Sequence, residues 1–384
     1  MDTNNNSYQN TVRQQFDTSS QQSGQMVYPP YQGTDASLQF ASGAQPYYPG
    51  ENDKKTGRKF FSRVGFSYFI FYIVTAILQI VVSDLVNAFA PDAAENYAIS
   101  IIMALAPIYL IGAPVAYLVI KKLPAEKPAK NKWTALQLIG GFFVAYGLIY
   151  VSNIVGTSIG TVIESIFPDL RAATNDVQDL VFSGDMIVNV LAMVIIGPIM
   201  EELLFRKMLC DRVRVYGEGV CMVISGLIFA IFHGNLTQGV YAFTLGAFLA
   251  YVYLKTGKLL VPICYHMGIN LMGSVLPLLA MKDLDLNEYM EAFGSGDTDT
   301  MMAFIESNVS ALASFGIYIS FVLFVAITGI VILIVTCVKK RVFINPGRYV
   351  IPKGQRFSTV ILNVGMMLYI IFGIALVILA MFAG

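Results

Sequence analysis

The chain contains little charge. Asp, Glu, Lys and Arg make up 13% of its 384 residues, whereas an average soluble domain has about 25%. So few charges cannot cover a water-facing surface, and 56% of the residues are hydrophobic. Most of the surface is therefore expected to face a lipid bilayer. The net charge is zero, which gives no reason to expect a nucleic acid partner.

Cysteine and histidine are also scarce. The four cysteines (Cys210, Cys221, Cys264 and Cys337) show no CxxC spacing, so neither a zinc ribbon nor a disulfide framework is indicated. The first ten residues, MDTNNNSYQN, are polar and do not resemble a signal peptide. The two histidines, His233 and His266, both lie inside hydrophobic segments.

Residues 1–60 have the composition of a polar tail. They are rich in Gln, Ser, Asn, Tyr and Pro and cannot bury a core, so we predict a disordered cytoplasmic tail. Its Pro-Tyr clusters at 27–31 and 46–49 could dock a partner, although a solvated tail is the simpler interpretation.

Long apolar runs fill the rest of the chain. A membrane-spanning helix needs about 20 mostly apolar residues. These runs predict an all-α, polytopic transmembrane helical bundle of about nine spans. The runs cover 66–90, 97–120, 134–156, 186–209, 218–236, 238–254, 259–280, 311–338 and 358–382.

The charges between the runs alternate in sign. Cytoplasmic loops carry an excess of Lys and Arg, and basic residues cluster at 54–63, 121–132, 212–214, 255–258 and 339–356. Acidic residues cluster at 92–95, 169–185 and 283–306. We therefore predict a multi-pass protein of the cell membrane with its N-terminus in the cytoplasm and its C-terminus outside. The expected parts are N-terminal helices in 61–185, a central four-helix block in 186–280, an acidic extracytoplasmic loop in 281–310 and C-terminal helices in 311–384.

The central block contains ionisable residues, which are costly in lipid and are functional candidates by default. Glu202 and Arg206 are spaced i,i+4, so they share a helix face and can pair. Glu201 is rotated about 100° from Glu202 and is free to face another partner. The structural alternative is a network of charges at the cytoplasmic end of the helix, extended by Lys207, Asp211 and Arg212.

The two histidines lie on later segments of the block. Phe229 and His233 share one helix face, and so do His266 and Asn270. Gly268 and Gly273 could let helices approach closely. Packing for His233, and interhelical hydrogen bonding for His266 and Asn270, are the structural alternatives.

Depth along the helices indicates that these groups can converge. At 1.5 Å per residue, Glu201, His233 and His266 lie about 18, 24 and 12 Å from their cytoplasmic helix ends. Tilt of the helices can offset differences in depth of this size. We therefore expect the three side chains to form one site within the membrane that is reachable from the cytoplasm.

The three motifs resemble those of a known family. Glu-Glu-x-x-x-Arg at 201–206, Phe-x-x-x-His at 229–233 and His-x-x-x-Asn at 266–270 are similar to those of the CPBP intramembrane proteases. This family includes type II CAAX prenyl endopeptidases and Abi or bacteriocin-processing proteins. The resemblance covers about 186–280, a quarter of the chain, and no motif residue departs from it.

The resemblance implies a glutamate-type intramembrane endopeptidase that acts on a membrane-associated protein, such as a prenylated CAAX protein, or on a hydrophobic peptide. Glu201 would activate water with the help of His233, and His266 and Asn270 would form the oxyanion hole. Glu202, Arg206 and Phe229 would support them. The physical requirements agree, since hydrolysis needs a base near water and preorganised donors for the oxyanion.

Three alternatives remain open at this point. Glu201, His233 and His266 could form a His₂Glu zinc site, although the sequence lacks HExxH and a site without cofactor or metal is favoured. A transporter or proton relay could use the same groups, but no inverted repeat is visible. A non-catalytic immunity or scaffold protein could also retain the motifs.

Overall fold

The computed structural model describes residues 51–171 and 184–383. Within these ranges the regular elements are helices, which confirms the predicted all-α bundle. The main helices are α1 (Glu51–Phe89), α2 (Tyr97–Ile120), α3 (Ala135–Ile166), α4 (Met186–Tyr216), α5 (Glu218–Phe232), α6 (Leu236–Thr256), α7 (Leu260–Met281), α8 (Leu286–Gly294), α9 (Thr298–Ser307), α10 (Val309–Val338) and α11 (Val364–Ala383).

Seven of the helices in the described residues are long and apolar enough to cross a membrane: α1 to α4, α7, α10 and α11. The other two predicted runs form a hairpin of α5 and α6. Helix α5 has 15 residues, fewer than the roughly 20 that a span needs. The hairpin begins and ends at one face, where Lys255 Nζ lies 2.6 Å from Glu218 Oε2. Because the hairpin returns to the face from which it started, the alternation of the other segments is unaffected.

Two predicted boundaries differ from the structure. Helix α1 begins at Glu51, so residues 51–60, assigned above to the polar tail, are helical, and Phe60 packs against Tyr216 with ring centroids 4.9 Å apart. Residues 1–50 lie outside the described part of the chain. The predicted acidic loop contains α8 and α9, which pack around a small core of Leu284, Ala292, Phe304 and Ala311.

The basic segments between the helices contact one another. Glu126 N–H donates to Asp211 O at 2.6 Å, and Asn131 N–H donates to Thr256 O at 3.0 Å. The 339–356 segment joins them, because an Arg348 guanidinium nitrogen lies 2.7 Å from Glu126 Oε1. Four clusters of Lys and Arg therefore share one face of the bundle, here called the basic face, as the charge alternation requires.

In the bundle α6 packs against both α5 and α3, α10 packs on α3, and α11 packs on α1.

Small residues determine how closely some of these helices approach one another. A Cβ atom at Gly268 would lie 2.8 Å from the Phe142 ring, whereas one at Gly273 would meet nothing within 4 Å. The expectation of close approach is therefore confirmed for Gly268 and wrong for Gly273.

This difference predicts unequal effects of two glycine substitutions. Gly268→Ala should destabilise the protein by about 1–3 kcal/mol, because the added methyl group forces α7 away from Phe142. Gly273→Ala, on the same helix, should leave stability unchanged or slightly raise it. Thermal unfolding of the two purified variants in detergent measures the effect, and equal melting temperatures would contradict the packing described.

Candidate active site

Helix α4 changes its winding around the two glutamates. The segments Val190–Ile196 and Leu203–Cys210 are π-helical, and the α-helical turn Gly197–Glu202 lies between them. Short π segments are rare and are frequent at functional sites. Gly197 N–H donates to Ala192 O, five residues back. The next donor in that pattern would be residue 198, which is proline and has no N–H, so Met193 O receives no donor from its own helix.

Asn270 supplies the missing donor. Its Nδ2 donates to Met193 O at 2.8 Å, which links the middle of α7 to α4 just before the catalytic candidates. A buried carbonyl without a partner is unfavourable, so this bond compensates for Pro198. Interhelical hydrogen bonding, the structural alternative for Asn270, is therefore what the structure contains. The second N–H of the same amide is not used in this bond.

Glu202 and Arg206 form the predicted ion pair. Arg206 Nε lies 2.8 Å from Glu202 Oε2, and both side chains are fully buried. Arg206 Nη1 also donates to Ser225 Oγ on α5 at 2.9 Å. Lys207 pairs separately with Asp211, so the alternative of one continuous network at the helix end does not describe Glu202 and Arg206.

His266 lies between the two glutamates. Its Nδ1 is 3.1 Å from Glu202 Oε1, and its Nε2 is 3.8 Å from Glu201 Oε2. Two consecutive acids on α4 thus contact opposite edges of one imidazole, as their 100° separation permits. The ring is 3% exposed, so water does not screen these contacts as it would at a surface.

Glu201 has a second neighbour besides His266. The hydroxyl of Tyr109 on α2 donates to Glu201 Oε1 at 3.4 Å. Within the described part of the protein, Oε2 is buried and has no hydrogen-bond partner. Glu201 therefore keeps one carboxylate oxygen available, and its side chain is 14% exposed.

His233 ends α5 beside this cluster. Its Nδ1 is 2.8 Å from Phe229 O, so an N–H at Nδ1 satisfies one of the carbonyls left free at the helix end. The assistance of Glu201 by His233 remains a prediction, since the bond found here is to the backbone.

Phe229 contacts several of the charged groups. Its ring lies 5.2 Å from the Arg206 guanidinium carbon, 4.5 Å from the His233 ring and 5.8 Å from the His266 ring. A cation over an aromatic face is stabilised by the ring quadrupole. Phe229 thus contacts Arg206, His233 and His266, and its supporting role in the site stays a prediction.

Tyr109 and Ser225 were not predicted. Tyr109 lies on α2, about 90 residues before Glu201 in the chain, and Ser225 lies on α5. A lone hydroxyl within an apolar run indicates a hydrogen bond to another helix, because buried hydroxyl groups need partners. The sequence contains several such hydroxyls, and helix periodicity does not show which of them faces the site.

The histidines suit a zinc ion in one respect. In both rings Nδ1 contacts a protein oxygen, and Nε2 has no hydrogen bond among the described residues. Zinc-bound histidines typically bond the metal through one ring nitrogen and a carboxylate or carbonyl oxygen through the other. However, no three His, Cys, Asp or Glu side chains among the described residues form a metal-ligand group. In the described arrangement Glu201, His233 and His266 therefore do not form a three-ligand zinc site.

The sequence comparisons agree with the motifs. Residues 183–272 match the profile of the Rce1-like type II CAAX prenyl endopeptidases. The chain is 26% identical over 178 residues to the putative membrane peptidase YdiL of Bacillus subtilis (strain 168), which is 44% of this chain and 69% of that protein. It is 23% identical over 169 residues to the membrane-embedded CAAX protease MroQ of Staphylococcus aureus (strain USA300), 42% of this chain and 67% of that protein. No solved structure matches.

Asn270 donates to Met193 O in place of the N–H that Pro198 lacks. This predicts that a substitution of Pro198 suppresses the effect of a substitution of Asn270. Asn270→Ala should destabilise the protein by about 1–3 kcal/mol, because Met193 O loses its donor. Adding Pro198→Ala supplies a backbone N–H to that carbonyl, so the double variant should recover much of the loss. Unfolding of wild type, both single variants and the double variant forms a double-mutant cycle. Purely additive changes in stability would mean that the two residues are not coupled.

Proposed function

We propose that this chain is a membrane protease, because residues 183–272 match the Rce1-like CAAX prenyl endopeptidases, and that Glu201 is the base of a glutamate-type reaction. The observation that supports this most directly is Oε2 of Glu201, which is buried, has no hydrogen-bond partner in the described protein and lies 3.8 Å from Nε2 of His266. A carboxylate oxygen without such a hydrogen bond can accept one from water, which a general base requires.

The proposed reaction is hydrolysis of a peptide bond. A water bound to Glu201 Oε2 attacks the carbonyl carbon, and Glu201 takes one of the two water protons. The new C–O bond gives a tetrahedral intermediate whose carbonyl oxygen carries the negative charge. The C–N bond then breaks, the leaving nitrogen takes the proton from Glu201, and the oxyanion collapses. The products are a carboxylic acid and an amine, the acid then gives its proton to the released amine, and Glu201 is again ionised.

His266 is proposed to stabilise the oxyanion. Its contact with Glu202 fixes the ring, and Nε2 faces the site. In the imidazolium form both nitrogens donate, so Nε2 can bond the oxyanion while Nδ1 bonds Glu202. Arg206 and Ser225 hold Glu202 in place, so these residues act by fixing the position of His266. Preorganised donors of this kind contribute strongly to acyl-transfer catalysis.

Asn270 and His233 have proposed roles that use the atoms left free by their structural bonds. Asn270 has one N–H beyond the bond to Met193 O, and we propose that it is the second oxyanion donor. His233 has Nε2 free when Nδ1 bonds Phe229 O, and we propose that it assists Glu201. If Asn270 has both roles, the double variant with Pro198→Ala regains stability but not activity.

The proposed substrate is a membrane-associated protein or a hydrophobic peptide. MroQ is named a membrane-embedded CAAX protease, and a prenylated CAAX protein is one candidate substrate for this chain. We further propose that the basic face lies in the cytoplasm of a cell membrane, because Lys and Arg are retained on that side. Cysteines introduced at Lys130 and at Asp299 should then react with an impermeant thiol reagent from opposite sides of sealed vesicles.

Zinc-dependent hydrolysis is the alternative that one observation favours, namely the free Nε2 atoms of both histidines. Metal analysis of the purified protein separates the two mechanisms. One tightly held zinc ion per chain, with activity lost on chelation and restored by zinc, would overturn the metal-free proposal.

The proposal predicts the effect of one substitution. Glu201→Gln should lower turnover by roughly 10²–10⁴-fold, because it removes the base and keeps the side-chain volume. Glu288→Gln, in the acidic segment far from the site in sequence, is the matched control and should remain active. Comparative membrane proteomics of cells expressing each variant should show one or more proteins that accumulate uncleaved with Glu201→Gln. Cleavage that is unchanged in that variant contradicts the role of Glu201, whereas the absence of any protein cleaved by the wild type favours a scaffold or transport role.

A further inference from the structure

Tyr109 contacts the proposed base from a helix outside the segment that matches the protease family. It lies on α2, whereas the match covers residues 183–272. Its hydroxyl donates to Glu201 Oε1 at 3.4 Å, and the side chain is 8% exposed. The bond therefore crosses between helices inside the bundle, where water offers little competition for it.

The local structure of α2 positions this hydroxyl. Tyr109 is in the π-helical segment Pro107–Gly112, and an inserted π turn changes the direction in which the following side chains point. A Cβ atom at Gly112 would lie 3.1 Å from the Phe71 ring, so glycine lets α2 approach α1 closely. The winding and the close packing together fix the position of α2 beside α4.

Helix α4 leaves room for the same contact. Gly197 is one turn before Glu201, and a Cβ atom there would lie 3.0 Å from Ala192 O, 3.8 Å from Tyr109 Oη and 3.9 Å from Glu201 Oε1. The contact with Ala192 O is tight, and the other two are ordinary van der Waals distances, so the hydroxyl and the carboxylate both lie directly against Gly197. Tyr109 thus lies within a π segment of α2, and Glu201 lies between two π segments of α4.

The contact makes the two oxygens of Glu201 different. Oε1 has the Tyr109 hydroxyl, whereas Oε2 has no hydrogen-bond partner within the described protein and lies 3.8 Å from His266 Nε2. A carboxylate held at one oxygen cannot rotate freely, so the other oxygen keeps a constant direction. Fixed direction matters because the base must reach the attacking water at about 2.6–3.2 Å.

We propose that Tyr109 is a positioning residue that fixes the Glu201 carboxylate through Oε1 and so makes Oε2 the oxygen that accepts the proton from water. This inference rests on the proposed role of Glu201 as the base. A separation of 3.4 Å is long for an O–H···O bond, and catalytic hydrogen bonds often shorten when substrate binds. Tyr109 acts through Glu201 and is not assigned contact with the substrate.

Tyr109→Phe tests the proposal, because it removes the hydroxyl and keeps the ring that packs in the bundle. We expect kcat to fall by roughly 10- to 100-fold, since a small misplacement of a reacting group has effects of that order. KM should stay within about twofold, because substrate binding does not use this hydroxyl. The probes are a farnesylated CAAX reporter peptide and an unprenylated hydrophobic peptide, each with a fluorophore and a quencher, assayed in detergent.

Tyr369→Phe is the matched control. The Tyr369 hydroxyl is also buried and donates to a backbone carbonyl, Ile228 O at 2.8 Å, so its loss removes a similar bond without touching Glu201. It should reduce stability like Tyr109→Phe and leave kcat unchanged. A fall in kcat of the same size in both variants would show a general structural effect and overturn the inference.

The remaining outcomes separate this inference from the proposed function. If Glu201→Gln cleaves the probes as wild type does, or wild type cleaves neither, the proposed function fails. If Glu201→Gln is inactive and a folded Tyr109→Phe keeps the wild-type kcat, the role of Tyr109 alone is rejected. Should Tyr109→Phe not fold, Tyr109→Gln replaces it because Gln keeps an N–H donor. Partial activity then supports the inference, and a loss equal to that of Glu201→Gln overturns it.

Discussion

The ion pair between Glu202 and Arg206 connects most of the candidate site. Both side chains are fully buried, and taking two charges out of water is unfavourable unless every strong partner is present. Arg206 therefore bonds Ser225 on α5 and lies against Phe229, while Glu202 bonds His266 on α7. Three helices are held in one relative arrangement, because removing any partner would leave a buried charge without compensation. The position of His266, and with it the Nε2 atom facing Glu201, depends on this pair.

A second constraint is the backbone of α4. Pro198 removes the donor for Met193 O, and the Asn270 side chain supplies it. An irregular helix inside a bilayer requires such compensation, since lipid offers no hydrogen bonds. The π segments on both sides of Gly197–Glu202 set the rotation of the glutamates relative to α2 and α7. Glu201 lies between Tyr109 and His266 in this stretch, so the irregular winding and the proposed chemistry occur at the same place.

These features explain why Asn270 can be both structural and functional. An amide has two N–H groups, and the bond to Met193 O uses one of them. The structural alternative and the proposed oxyanion role therefore do not exclude each other. The same holds for His233, whose Nδ1 satisfies the end of α5 while Nε2 remains. In each case a residue that is expensive to place in lipid has one group that stabilises the fold and one that is free for the site.

The sequence by itself determined the class of protein, the helical segments and the pairing within one helix. Low charge and long apolar runs are sufficient to predict the class of protein and the helical segments. The i,i+4 spacing is sufficient to predict the pair of Glu202 and Arg206, because that pair follows from the geometry of one helix. The motifs also predicted that Glu201, His233 and His266 converge, and in the structure His266 lies 3.8 Å from Glu201 while both histidine rings lie against Phe229. Only the tertiary structure decided that Glu202 bonds His266, that Asn270 bonds Met193 O, and that Tyr109 contacts Glu201. Each of these depends on the rotation and depth of one helix relative to another, and periodicity within a single helix contains no information about either.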